Sequence, residues 1–69
     1  MEINVMAVRC AMADAGISVS ELAKKAHVSQ QTAVRYAGKG GNGSPTTFHK
    51  IGVALGVKPS SLILVHPEK

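Results

Sequence analysis

Gln30 and Gln31 stand side by side at the head of a short amphipathic stretch, with Thr32 next and Arg35 one helical turn on. A glutamine amide donates and accepts at once, so it can bond N6 and N7 of a single adenine. Each good bidentate contact of this kind discriminates against a wrong base by about 1–3 kcal/mol. Threonine offers a hydroxyl or a thymine-methyl contact, and arginine reaches guanine or a phosphate. Grouped at the start of a helix, these four side chains are candidates for reading base edges in a DNA major groove. A plainer reading, two solvated glutamines on a helix surface, stays open at this level.

Phosphate contacts need cations, hydroxyls or free N–H groups rather than base-matched geometry. Lys24, Lys25 and Lys39 supply cations, Ser18 and Ser29 lie at helix starts where the dipole favours an anion, and Asn42 and Ser44 follow in a loop. After Glu21 no acidic residue occurs until Glu68, while Lys24, Lys25, Arg35, Lys39, Lys50 and Lys58 intervene, and the formal net charge is +4. That distribution suits a polyanion. A solubilising surface patch would account equally well for Lys24 and Lys25. Tyr36, apolar in body and polar at its tip, is expected in the core with its hydroxyl at the surface.

These residues need helices to present them. Ser18 and Glu21 form a capping-box pattern, and Leu22, Ala23, Ala26, Val28, Ala33 and Tyr36 give an apolar face at helical spacing, interrupted at residues 27–29. The pattern predicts two short helices, about 19–26 and 30–37, joined by a tight turn. A first helix is expected over 3–15 from Val5, Val8, Met12 and Ala15, stopped by Gly16. Residues 38–45 read as a glycine-rich loop. A fourth helix is expected over 46–55 and a fifth over 59–64 with Pro59 in its first turn, leaving 66–69 as a tail. Leu62, Ile63, Leu64 and Val65 could instead form a strand, for which the chain offers no second strand candidate, so that a partner subunit would have to supply one. The fold class is all-α: one compact bundle of about five short helices spanning 1–69.

The 69 residues allow one domain with a small core, built without tryptophan and with a single Phe and a single Tyr. Cys10 is alone and cannot form an intramolecular disulfide, no apolar run approaches a membrane span, and no basic-then-apolar leader opens the chain. A reducing, bacterial cytoplasmic or nucleoid setting is the expectation. Cys10, His27, His49 and His66 lack zinc spacing, and Gly38-Lys39-Gly40 lacks the rest of a phosphate loop. Asn42-Gly43-Ser44 fits a glycosylation sequon, a pattern short enough to arise by chance. With no nucleophile–base pair in view, neither an enzyme nor a cofactor is expected.

Gly16-Ile17-Ser18, Glu21-Leu22-Ala23-Lys24-Lys25-Ala26, Val28-Ser29, Thr32 and Ala54-Leu55-Gly56-Val57 together resemble the Cro and lambda-repressor-like (Xre-type) helix-turn-helix family, over about residues 4–64. The resemblance implies a five-helix domain with helices two and three as the helix-turn-helix. It further implies a third helix in the major groove and a dimer on a two-fold operator. It places Gln30 and Gln31 where some phage repressors read adenine.

The sequence departs from the family at four places. His27 holds a turn position that is usually glycine, at a cost of around 1 kcal/mol for a left-handed conformation. Val19 replaces a frequent glutamine, removing one phosphate contact. Met12 and Ala37 stand where relatives carry an arginine–glutamate pair, and losing both charges together is tolerable in a core. The loop at 38–45 is unusually rich in glycine.

Two functions are in view. One is a sequence-specific double-stranded DNA-binding protein, a phage, prophage or bacterial transcriptional repressor acting by operator occupancy, with homodimerisation through Leu62, Ile63, Leu64 and Val65 open. The other is a protein-interaction or antitoxin-like module on the same scaffold.

Overall fold

A computed structural model describes residues 1–64. Its helices are α1 (Val5–Ala15), α2 (Val19–Ala26), α3 (Gln30–Val34) and α4 (Pro45–Leu55). A π-turn, Arg35–Lys39, continues α3, and a single 3-10 turn, Pro59–Leu62, follows α4. The fold is all-α, and no helix among the described residues is long and apolar enough to cross a membrane.

Each helix is delimited by side-chain chemistry visible in the sequence. The Asn4 Oδ1 accepts from the Ala7 N–H at 3.2 Å and caps α1, whose end is Gly16 at φ 68°. Ser18 and Glu21 form the full capping box: the Glu21 N–H donates to Ser18 Oγ at 3.2 Å, and the Ser18 N–H donates to Glu21 Oε1 at 2.9 Å. Ser29 caps α3 and Ser44 caps α4, which has Pro45 in its first turn and Gly56 at φ 73° beyond its end. His27 ends α2 at φ 57°, the left-handed conformation expected of it.

Four boundaries differ from the sequence expectation, for identifiable reasons. The first helix begins at Val5 rather than residue 3, because the backbone of residues 1–4 is committed elsewhere. The Ile3 N–H donates to the Gly41 carbonyl at 2.8 Å and the Gly43 N–H to the Met1 carbonyl at 2.8 Å. On the other side, the Asn4 N–H donates to the Leu62 carbonyl at 2.9 Å and the Leu64 N–H to the Glu2 carbonyl at 2.8 Å. Antiparallel bridges join Glu2 to Asn42 and Ile3 to Ile63. The expected fifth helix therefore stops at Leu62, and Ile63 turns extended to pair with Ile3. A pairing partner does exist within the chain, in the stretch assigned by periodicity to the first helix.

The helix expected to end at residue 37 runs on through the π-turn to Lys39, where the Gly40 N–H reaches the Arg35 carbonyl at 2.8 Å. The expected loop at 38–45 shrinks accordingly to residues 40–44, with the fourth helix starting at Pro45. The expected tail at 66–69, and Val65 with it, lies outside the described residues.

The core gathers one apolar face from each element, with Val8, Leu22, Tyr36, Phe48, Ile51 and Leu62 as its most enclosed large side chains. Alanines 11, 23, 26, 33 and 37 fill the gaps and let the short helices approach closely. Met12 and Ala37 are both buried in this cluster, where neither brings a charge into the core. Tyr36 and Phe48 meet edge to face, ring centres 5.1 Å apart at 73°. Such a pair contributes about 0.5–1.5 kcal/mol beyond its buried area. The 3-10 turn seats on α4 because residue 52 is glycine: a Cβ there would lie 2.9 Å from Pro59 Cα.

Candidate nucleic-acid interface

The Ser29 cap fixes where α3 begins and hence where the two glutamines point. Ser29 Oγ accepts from the Thr32 N–H at 3.1 Å and shares a 2.9 Å hydrogen bond with the Thr32 hydroxyl. Gln30 and Gln31 occupy the first two helical positions, both exposed. The Gln30 Nε2 donates to Ser20 Oγ on α2 at 3.2 Å. That bond holds one edge of the amide while leaving its oxygen and second N–H free for a ligand. Ser20 thus positions a candidate base reader, a role that ten residues of sequence separation concealed.

Gln30, Gln31, Val34, Arg35 and Lys39 line one shallow depression of about 300 Å³. Its neighbour, about 420 Å³, is lined by Thr32, Arg35, Tyr36, Asn42, Gly43, Ser44 and Thr47. Arg35 belongs to both, so all four base-reading candidates, together with Lys39, Asn42 and Ser44, lie along one continuous surface at α3 and the head of α4. Ser18, Lys24, Lys25 and Ser29 line neither depression. Lys24 and Lys25 are exposed at the end of α2, while Ser18 and Ser29 use their oxygens as caps. The Ser18 hydroxyl proton is still free to be donated.

The π-turn shapes this surface. A sixteen-atom turn is wider than an α-turn and commonly marks functional sites; here it carries Arg35 at its start and Lys39 at its end. From α1 the Arg9 Nε donates to the Ala37 carbonyl at 2.9 Å, satisfying an acceptor inside the widened turn. Cations are favourable at this end of a helix. Arg9 was not among the sequence candidates, since it precedes the acid-free tract and belongs to no recognised motif.

Tyr36 departs from expectation in one respect: its hydroxyl is enclosed rather than exposed. The residue is 2% accessible, and its oxygen is buried without a hydrogen bond. Gly43 permits this, because a Cβ at that position would overlap the Tyr36 hydroxyl. Burial raises the phenol pKa above its ordinary 10.0; the nearby Thr47 side chain, which does not meet hydrogen-bond geometry with the phenol, and the Arg35 charge pull it down by less.

The C-terminal residues considered as a dimer surface divide. Leu62 is 1% accessible and belongs to the core, so it is unavailable to a partner. Ile63 is half-buried against the core, Leu64 is 36% accessible, and Val65 lies outside the described residues. Among the described residues no three of His, Cys, Asp and Glu gather as a metal site, and Cys10 is an exposed free thiol. Compared with known proteins, the chain matches no family model, no curated protein and no solved structure.

Proposed function

We propose that this chain is a sequence-specific double-stranded DNA-binding domain of helix-turn-helix type, with α2 and α3 as the motif and α3 as the recognition helix. The observation that carries this reading is the exposed row Gln30, Gln31, Arg35 and Lys39 lining one open depression. Two amides that match adenine stand there beside two cations that match guanine or phosphate. The resemblance to the lambda-repressor-like family supports the same orientation of α3. In this reading the chain acts as a repressor by occupying its operator, and a two-fold arrangement would use Ile63 and Leu64 but not the buried Leu62.

Selection of bound duplexes from random DNA tests the reading, followed by titration of the selected site. A palindromic consensus containing adenine contacts is expected, and Gln30→Ala or Gln31→Ala should each flatten preference at one position by about 1–3 kcal/mol. Unchanged preference in both variants removes the recognition-helix assignment. Duplex affinity that is absent even at low salt points instead to a protein-interaction module.

A further inference from the structure

Val34 is 40% accessible on the surface of α3, an apolar side chain surrounded by Gln30, Gln31, Arg35 and Lys39 in the same depression. It follows Gln30 by four residues, so the two share a helix face one turn apart. On that face the next turn presents Gly38, where a Cβ would meet nothing within 4 Å, so no side chain from that position covers the valine. Valine is stiff at χ1, and its two methyl groups hold a fixed place. A single apolar group framed by amides and cations is too small for a hydrophobic protein contact. On the floor of a major groove there is one apolar group of matching size, the C5-methyl of thymine.

We propose that Val34 reads a thymine through its 5-methyl group and is a specificity-determining residue of the α3 surface. The inference rests on the DNA-binding reading above and deepens it by naming a second base. Four residues of helix advance about 6 Å, close to two base-pair steps of 3.4 Å. The thymine therefore lies within about two base pairs of the position read by Gln30. Cytosine, which lacks the methyl, leaves Val34 against an empty pocket.

Deoxyuridine isolates this contact, because exchanging thymine for uracil removes the methyl and nothing else. Each thymine of the selected duplex is replaced singly, and binding is measured for the intact chain. At one position per bound chain the exchange should weaken wild-type binding about fourfold, the effect of uncovering one methyl. Val34→Ala should bind the thymine and uracil duplexes there equally, while retaining the preference given by Gln30 and Gln31 and an unchanged melting curve. Val34→Thr, which keeps the branched shape but exchanges a methyl for a hydroxyl, should fall between the two. The proposal is overturned if every uracil exchange is neutral in the wild type, or if the discrimination survives in Val34→Ala. If selection yields no consensus at all, the DNA-binding reading fails as well, and that result appears before any uracil is introduced.

Discussion

His27 sits at φ 57°, a left-handed conformation forced by the turn between α2 and α3. Replacing it by glycine removes a steric cost of around 1 kcal/mol, less what glycine adds to the entropy of the unfolded chain. His27→Gly is expected to stabilise the fold by up to about 1 kcal/mol, read from the urea midpoint at constant m. Tyr36 is the second residue where local strain has a measurable sign. Its hydroxyl is buried without a partner, and an unsatisfied group of this kind costs about 1–3 kcal/mol. Tyr36→Phe should therefore stabilise by roughly 1 kcal/mol. The ionisation has its own direction. Because burial raises the phenol pKa in the fold, the unfolded chain loses this proton first as pH rises. Stability from Tyr36 is intact below its ordinary 10.0 and falls as pH climbs through the higher folded value. Chemical denaturation at increasing alkaline pH should show a shallower loss for Tyr36→Phe than for the wild type; equal slopes would mean that the hydroxyl is solvated.

At the scale of elements, glycines of similar appearance in the sequence have opposite roles. Gly52 lies where α4 meets the 3-10 turn, and a Cβ there would press on the Pro59 backbone. Gly52→Ala should cost about 1–3 kcal/mol by overpacking, despite alanine's better helix propensity. Gly38, inside the π-turn, has nothing within 4 Å of a built Cβ and no positive φ. Gly38→Ala should stabilise by about 0.4–1 kcal/mol through the unfolded state. Thermal melts of the two variants should move in opposite directions; a common direction would contradict the packing described for Pro59. The π-turn itself left no mark in the apolar periodicity, since a one-residue widening shifts a five-residue segment too little to alter a pattern of apolar positions. Its support, Arg9 on the Ala37 carbonyl, comes from a residue 28 positions away.

For the whole molecule, the relevant quantity is how the +4 net charge is distributed and what it does to binding. If Lys39 contacts a phosphate, Lys39→Ala should weaken binding to all duplexes alike and lower the salt slope by about one, leaving base preference untouched. Titration of the selected duplex and a scrambled one across a salt series measures both effects. A change in preference without a change in slope would move Lys39 from phosphate to base contact. The residues lining the two depressions come from α3, the π-turn, the loop at 40–44 and the head of α4. Their mutual placement depends on the backbone of residues 1–4, which ties the loop to the C-terminal segment through four hydrogen bonds of 2.8–2.9 Å.

The starts of α2 and α3 and the stops of α1 and α4 were legible from the residues alone, because a cap is a short-range event. Ser18 and Ser29 each satisfy an N–H three residues away, and Gly16 and Gly56 each supply a left-handed stop; Asn4 and Ser44 cap in the same way, but the helices they start were expected at residues 3 and 46. The apolar spacing likewise marked Leu22, Tyr36, Phe48 and Ile51 for the interior, since a helix turns those positions to one side whatever packs against them. Three features depended on residues distant in the chain: the first residues as an extended strap instead of a helical turn, the enclosure of the Tyr36 hydroxyl by Gly43, and the approach of Pro59 to Gly52. Each depends on which backbone or side chain arrives from elsewhere to take up a donor or a space. Local periodicity carries no information about that arrival, and only the folded chain decides it.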